Sequence, residues 1–323
     1  MRLSLLDRSR TRAGFPDGAA LHHSVERAVR AESLGYHRFW AAEHHAVPGI
    51  ASGSPAVLLA AAGAHTSRIR LGSGGVMLPH HQPLVVAEQF LMLEGLCPGR
   101  VDLGLGRTLG FTEPVRRALR QQDDDAGRFA SDLEELRDYL RGEAEVTARP
   151  MTPGSPRLFQ LATGQGLRTA AQLGLPVVIG GPMLQSADLE EKVGAYRREF
   201  RPSPETPGPQ VILSMDVYPA DTEAAARELA LPEAWAMARS RETGEFSPLE
   251  PVEDIRAQKW SPRTASRVQE SLDRAIAGPA GVVRPVLEQL LERTGAEELL
   301  ISTSTYDREA LAAVDAELAE MVL

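Results

Sequence analysis

Eight short apolar runs alternating with amphipathic helices predict an α/β fold, a (β/α)8 TIM barrel with an insertion after strand 7. Two further patterns agree. The strands lack clean polar alternation, as expected where both faces are buried. Several helices also stop alike, at Leu34-Gly35, Leu173-Gly174 and Thr294-Gly295, where Gly fits a left-handed cap just before the next strand.

In chain order, strand Leu3–Asp7 leads to helix Ala19–Leu34, and strand Arg38–Glu43 to helix Pro55–His65. Ile69–Met77 precedes Pro83–Leu96, and Val101–Arg107 precedes Gly127–Leu140. Arg157–Thr163 precedes Gly166–Leu173, and Pro176–Gly181 precedes Asp188–Phe200. Gln210–Tyr218 precedes Asp221–Leu229, and the eighth strand, Glu298–Ser304, precedes Asp307–Met321. Two segments break the rhythm. The connection from Arg107 to Arg157 carries Asp123-Asp124-Asp125, most simply a solvated helix cap. Leu231 to Gly278 is a Pro-rich, charged, Trp-containing insertion ahead of a helix at Pro279–Arg293. After the seventh strand it falls over the mouth of a barrel, as a substrate lid or a disordered excursion. The chain is expected to form one domain over residues 1–323.

Composition narrows the function classes. A net charge of −9 argues against a nucleic-acid partner, which needs clustered Lys and Arg. Cys97 is the single cysteine, so no internal disulfide can form. The longest apolar stretch, Ala56 to Ala64, is too short to cross a bilayer. A strand beginning almost at Met1 leaves no room for a signal peptide, so a soluble cytoplasmic protein without membrane contact is expected.

In parallel α/β folds chemistry gathers at the carboxyl ends of the strands. Here those ends carry Asp7, Glu43-His44-His45, Gly74-Gly75 with Met77, Arg107, Thr163-Gly164, Gly180-Gly181, Tyr218 and Ser302-Thr303-Ser304. His moves protons near neutral pH, which singles out His44 and His45, although paired histidines are also ordinary surface groups. A metal set is not expected: vicinal histidines on extended backbone point to opposite sides, and no His-Glu-x-x-His or Cys pair is near. Gly72-Ser-Gly-Gly75 inside a strand is either a backbone surface for a planar ligand or a tight barrel corner. Thr163-Gly164-Gln165-Gly166 opens a helix whose first N–H groups can hold an anion, with Arg107 as compensating charge; taken alone, Arg107 fits a rim salt bridge better. No Gly-x-Ser-x-Gly elbow or well-placed lysine appears, so a bound cofactor would have to carry the reaction.

These residues resemble the bacterial luciferase-like flavin-dependent monooxygenases. The likeness is dense over residues 3–107, in Leu3-Ser-Leu-Leu-Asp7, Phe39-Trp-Ala-Ala-Glu-His-His45, Arg70-Leu-Gly-Ser-Gly-Gly-Val-Met77 and Val101-Asp-Leu-Gly-Leu-Gly-Arg107. It resumes at Ala170–Pro176, Arg197–Ser203 and Pro279–Ser302. The resemblance implies a (β/α)8 barrel, reduced FMN and oxygen, an NAD(P)H-dependent flavin reductase and a homodimer. A related branch uses a deazaflavin as hydride carrier. The resemblance puts a non-prolyl cis peptide at Gly74-Gly75, next to Ser73, beneath the flavin. It puts Arg107 and Thr163 to Gly166 on the phosphate, and His44 at the reactive edge of the ring. Asp7, His45 and Met77 then belong to the pocket for a small organic substrate.

There are departures. Thr108-Leu-Gly-Phe-Thr112 follows Arg107 where the family continues Ala-Pro-Gly-Thr/Ser-Asp, and Gln165 and Gly166 replace phosphate-loop serines. Fewer hydroxyl donors suit flavin taken up as a diffusing co-substrate. The alternatives are a deazaflavin-dependent hydride transferase and a non-catalytic flavin-binding relative. Ala56–Ala64 and Pro83–Leu96 carry more apolar and small residues than one buried face needs, which favours a helix–helix contact between subunits.

Overall fold

The computed structural model describes residues 1–109, 112–121, 126–162 and 164–323, with the side chains of residues 126 and 127 left aside. Eight parallel strands close into a barrel: β1 (Arg2–Asp7), β2 (Arg38–Ala41), β3 (Arg70–Met77), β4 (Val101–Gly106), β5 (Arg157–Leu161), β6 (Val177–Gly180), β7 (Val211–Met215) and, after a short outer pair, β10 (Glu298–Ile301). The ring closes where Leu3 of β1 faces Leu299 of β10. This is the (β/α)8 fold the sequence predicts. Helices wrap the outside, and Gly174 and Gly295 end two of them in the left-handed conformation. At Gly174 a Cβ would lie 2.3 Å from the Arg201 carbonyl oxygen, so space as well as φ demands glycine. The Asp123–Asp125 charge run lies outside the described residues.

Two boundaries differ from expectation. The seventh run does not continue to Tyr218 as one strand. Barrel pairing stops at Met215, and β8 (Val217–Pro219) pairs instead with β9 (Ile276–Gly278) in a separate two-stranded sheet. The break falls at Asp216, and the Thr303 hydroxyl captures both backbone groups of Val217 at 2.8 and 2.7 Å. The helix expected to end at Leu229 runs from Glu223 to Thr243, through Pro232. A proline removes one helical hydrogen bond, but alanines on both sides keep local helix propensity high. The insertion is therefore helical. Helices Val252–Ala257 and Pro262–Arg274 pack on the long helix through Leu231, Trp235, Ile255 and Val268, with the Trp235 and Trp260 rings 5.2 Å apart.

The barrel interior has a polar base and an apolar upper layer. At the base the Arg38 guanidinium meets Asp102 Oδ2 and Glu298 Oε1, each at 2.6 Å. Ser4 donates to Glu298 at 2.6 Å, and Trp40 Nε1 to Asp102 at 3.2 Å. Above lie Trp40, Phe159, Val178, Ile212 and Leu300. Glycines on β3 and β4 admit the indole: a Cβ on Gly72 would sit 2.4 Å from Trp40 Nε1, and one on Gly104 3.2 Å from its Cζ3. Part of the glycine run is thus a packing requirement.

Removing one partner of a buried ion pair strands the others without solvent. Arg38→Met is therefore expected to cost about 3–5 kcal/mol. Arg284→Met, which breaks a pair more than half exposed on both sides, is expected to cost under about 0.5 kcal/mol. Urea denaturation of both variants checks this; equal losses would remove the Arg38 cluster as a stability determinant.

Candidate active site

A cavity of about 890 Å³ opens above the apolar layer at the carboxyl end of the barrel. Such a volume is in the range of small-molecule and cofactor sites. Leu6, Trp40, Gly74, Leu161, Val178 and Leu300 form its apolar lining. Gly74 keeps the β3 wall thin: a Cβ there would lie 2.4 Å from Leu6 Cδ1. The Gly74–Gly75 peptide is cis, at the position where the resemblance implies one. The β3–β4 register slips there, with Gly74 opposite Gly104 but Val76 opposite Leu105. Met77 closes the cavity near Gly106.

One side of this cavity is cationic and polar. Arg107, at the end of β4, and Arg116 line it, as do Gln165, Gly166 and Thr169 of helix Gln165–Leu173. The first N–H groups of a helix have no intrahelical acceptor and carry partial positive charge. Gln160 lies between this side and the apolar lining. Its amide nitrogen donates to the Gly166 carbonyl at 3.2 Å, while its buried Oε1 has no hydrogen-bond partner among the described residues.

The predicted residues divide. Gly74, Met77, Arg107, Gln165 and Gly166 line the cavity together. Ser73 instead donates to the Gly104 carbonyl at 2.8 Å, and Gly75 packs on the same backbone. Gly164 precedes the helix with φ +50°, and Thr163 lies outside the described residues. Asp7 is committed elsewhere: its carboxylate accepts from the Ser9 N–H and the Ser24 hydroxyl at 2.7 Å and pairs with Arg27 at 3.1 Å. Burial opposes its charge, but the Arg27 cation and the hydrogen bonds from Ser24 and Ser9 together outweigh burial and hold the carboxyl below its ordinary range. The expected pocket role for Asp7 is replaced by a structural one.

His44 and His45 do point apart. His45 Nε2 lies 2.8 Å from Glu43 Oε1, turned to the β2–β3 rim and not into the cavity. Two residues that sequence reasoning missed join it there: His81 Nε2 at 2.9 Å and His80 Nδ1 at 3.5 Å from the same oxygen. Burial works against the Glu43 charge, yet the facing imidazoles hold its carboxyl well below the usual range. Its other oxygen accepts from the Met77 N–H at 3.3 Å, tying the cluster to the cavity wall. The half-buried His44 feels other neighbours. Burial first, then the cations Arg8 and Arg10, push its imidazole down to about 4.

A second cavity, about 780 Å³, adjoins the first at Ser214 and runs beneath the insertion. Arg8, Asp216, Glu233 and Ser302 form its polar corner, with Met237, Ala238 and Val283 among its apolar lining. Arg8 pairs with Asp216 and Glu233, both at 3.1 Å, and Ser302 donates to Asp216 at 2.6 Å. The alternating Arg8-Ser9-Arg10-Thr11-Arg12 forms a strap. Arg10 holds Glu233 at 3.0 Å and the Gly49 carbonyl at 2.6 Å, while Arg12 holds the Thr305 and Tyr306 carbonyls at 2.9 and 2.6 Å. The run is visible in the sequence, but its partners come from distant loops and from the long Glu223–Thr243 helix.

A barrel with a cavity of this size at its carboxyl face has room for a small molecule. The luciferase-like monooxygenase family matches residues 1–298, and the chain belongs to that family. It is 36% identical over 314 residues to a luciferase-like monooxygenase of Escherichia coli K12, covering 95% of this chain and 92% of that protein. It is 41% identical over 187 residues to the N-acetyl-S-alkylcysteine monooxygenase of Bacillus subtilis, covering 55% and 56% of the two chains. The solved structure of apo-MsnO8 superposes with a TM-score of 0.90 at 34% identity, covering 99% and 98%. More remote proteins share the fold: an FMN complex of the oxygenating constituent of 3,6-diketocamphane monooxygenase (TM-score 0.73, 18% identity) and an F420-dependent secondary alcohol dehydrogenase (TM-score 0.70, 15% identity). Among the described residues no helix is long and apolar enough to cross a membrane.

The His44 shift has a sign that can be checked. The unfolded chain binds a proton on His44 near its ordinary pKa of 6.5, and the native state only near 4. Its contribution to stability is full above pH 6.5 and declines as pH falls toward 4. Native protein is expected to lose more thermal stability between pH 7.5 and pH 5 than His44→Gln. Parallel melting curves for both proteins would show the shift to be absent.

Proposed function

We propose that this chain is a flavin-dependent monooxygenase that takes reduced FMN in the 890 Å³ cavity and an organic substrate in the adjoining one. The observation carrying this reading is the cavity itself: an apolar, glycine-thinned wall on one side and Arg107, Arg116 and a helix start on the other. A flat ring with a phosphate-bearing tail fits both chemistries. The buried Gln160 Oε1, which has no hydrogen-bond partner among the described residues, fits a ring N–H or a tail hydroxyl. Reduced flavin supplies the electrons for oxygen activation.

The chain's own residues do the rest. Leu6, Trp40 and Leu300 exclude water from one face of the site. Arg107 and the N–H groups at Gln165 and Gly166 hold the phosphate. His44 acts as a neutral imidazole near physiological pH, donating a hydrogen bond and passing a proton during oxygen transfer. The 231–278 insertion serves as a lid, with its helices over the substrate and Arg8 and Ser302 available to a polar substituent. An NAD(P)H-dependent flavin reductase supplies the reduced flavin.

Anaerobic titration with reduced FMN tests the reading. Arg107→Ala is expected to weaken FMN at least tenfold while changing riboflavin little; equal losses would move Arg107 off the phosphate. His44→Ala is expected to keep flavin affinity but slow substrate oxidation by about two to four decades. Binding of deazaflavin in preference to FMN, with anaerobic substrate reduction, would favour the hydride-transfer alternative.

The second part of the reading is a homodimer. Helices Pro55–Ala64 and Pro83–Leu96 leave Val57, Val85, Met92 and Leu96 exposed, Val57 by 71% and Leu96 by 68%. Exposed apolar side chains on adjacent helices mark an association surface. Light scattering at micromolar concentration is expected to give twice the chain mass, and Met92→Glu to shift it toward the monomer. A monomeric native protein would exclude this interface.

A further inference from the structure

We propose that Glu43, His45 and His80 form a three-ligand site for a divalent transition-metal ion, zinc above all, on the barrel rim between the ends of β2 and β3. The proposal is independent of flavin binding and of the monooxygenase reading.

Three observations converge. First, one ligand atom from each residue lies within 4.8 Å of the other two. Around an ion with metal–ligand distances of about 2.0–2.2 Å, two ligand atoms stand roughly 3.4 Å apart in tetrahedral geometry. His45 Nε2 and His80 Nδ1 already lie 2.8 and 3.5 Å from Glu43 Oε1. Only small rotamer adjustments are needed.

Second, His80 lacks the partners a buried imidazole needs. Its side chain is 3% exposed, yet neither ring nitrogen makes a hydrogen bond among the described residues. Leaving both nitrogens unsatisfied is costly, and native structures rarely do so without a reason. Nδ1 faces Glu43 at a separation too long for a hydrogen bond and suited to two ligands sharing an ion.

Third, the donor set selects the metal. Two imidazoles and a carboxylate suit zinc and its neighbours in the transition series, whereas magnesium and calcium prefer all-oxygen sets. Glu43 supplies the carboxylate whose charge compensates a dication. His81 Nε2, 2.9 Å from Glu43 Oε1, is placed to hydrogen-bond the ligating carboxylate and orient it. Three protein ligands leave a fourth position for water. With the ion bound, the β2 loop and the Leu78–His80 turn would be clamped together beside Met77 and the cofactor cavity.

The test uses the full, tag-free chain freed of metal by chelator and dialysis. Calorimetric titration with zinc chloride is expected to show one site per chain with a Kd in the micromolar range or tighter. Cobalt chloride is expected to give visible absorption of a low-coordinate complex. His80→Ala and His45→Ala should each weaken binding at least tenfold, whereas His22→Ala should not. His45 is partly exposed, so its variant keeps the test meaningful if His80→Ala fails to fold; melting curves of each variant without metal establish folding. Zinc should also raise the melting temperature of the native chain but not that of the His45 variant. Absence of saturable binding, or binding indifferent to both substitutions, would overturn the site.

Discussion

A guanidinium buried at the axis of the barrel organises the inside of this molecule. Arg38 has almost no contact with solvent, and its charge is tolerable only because Asp102 and Glu298 reach it from β4 and β10. Those carboxylates in turn collect Ser4, Trp40 and Arg70, so five strands are fixed in register by one ionic cluster. Low dielectric makes such a network intolerant of misplacement. Trp40 is held by it from below, and the indole is part of the lining of the 890 Å³ cavity. The geometry at the mouth is thereby transmitted from the base.

The glycines of β3 and β4 belong to the same construction. Gly72 and Gly104 accommodate the indole, while Gly74 lines the cavity above it. Close packing and a thin cavity wall are therefore both present, one residue pair apart, in the same strand.

What the sequence reveals and conceals follows from the range of the interactions. The barrel is legible because eight doubly buried strands leave eight apolar runs and because glycine stops recur at helix ends. The polar side of the cavity is legible through Arg107 and the Gly-x-Gly helix start, and Gly74 and Met77 through their place at the end of β3. Asp7 and His45 also stand at strand ends, but their side chains turn to Arg27 and to Glu43. Sequence position gives the strand end and not the direction of the side chain. Pro232 looks like a boundary and is none, since flanking alanines and tertiary packing outweigh one missing hydrogen bond. His80 and His81 follow the strand that carries Gly74 and Met77, yet nothing local indicates that they meet a carboxylate just past the end of the preceding strand. Contacts such as Arg38 to Glu298, 260 residues apart, have no local signature.

The arginine strap after β1 bears on how members of such a fold could exchange parts. Residues 231–278 look like a detachable cassette, with a small apolar nucleus and termini close to the barrel. Yet Glu233 is claimed by Arg8 and Arg10, and Leu249 bonds the backbone on either side of Arg12. The cassette is keyed to a pentapeptide more than two hundred positions upstream. Grafting the insertion alone would carry the buried Glu233 carboxylate away from both of its cations, so recombination that preserves folding has to move both pieces as a unit.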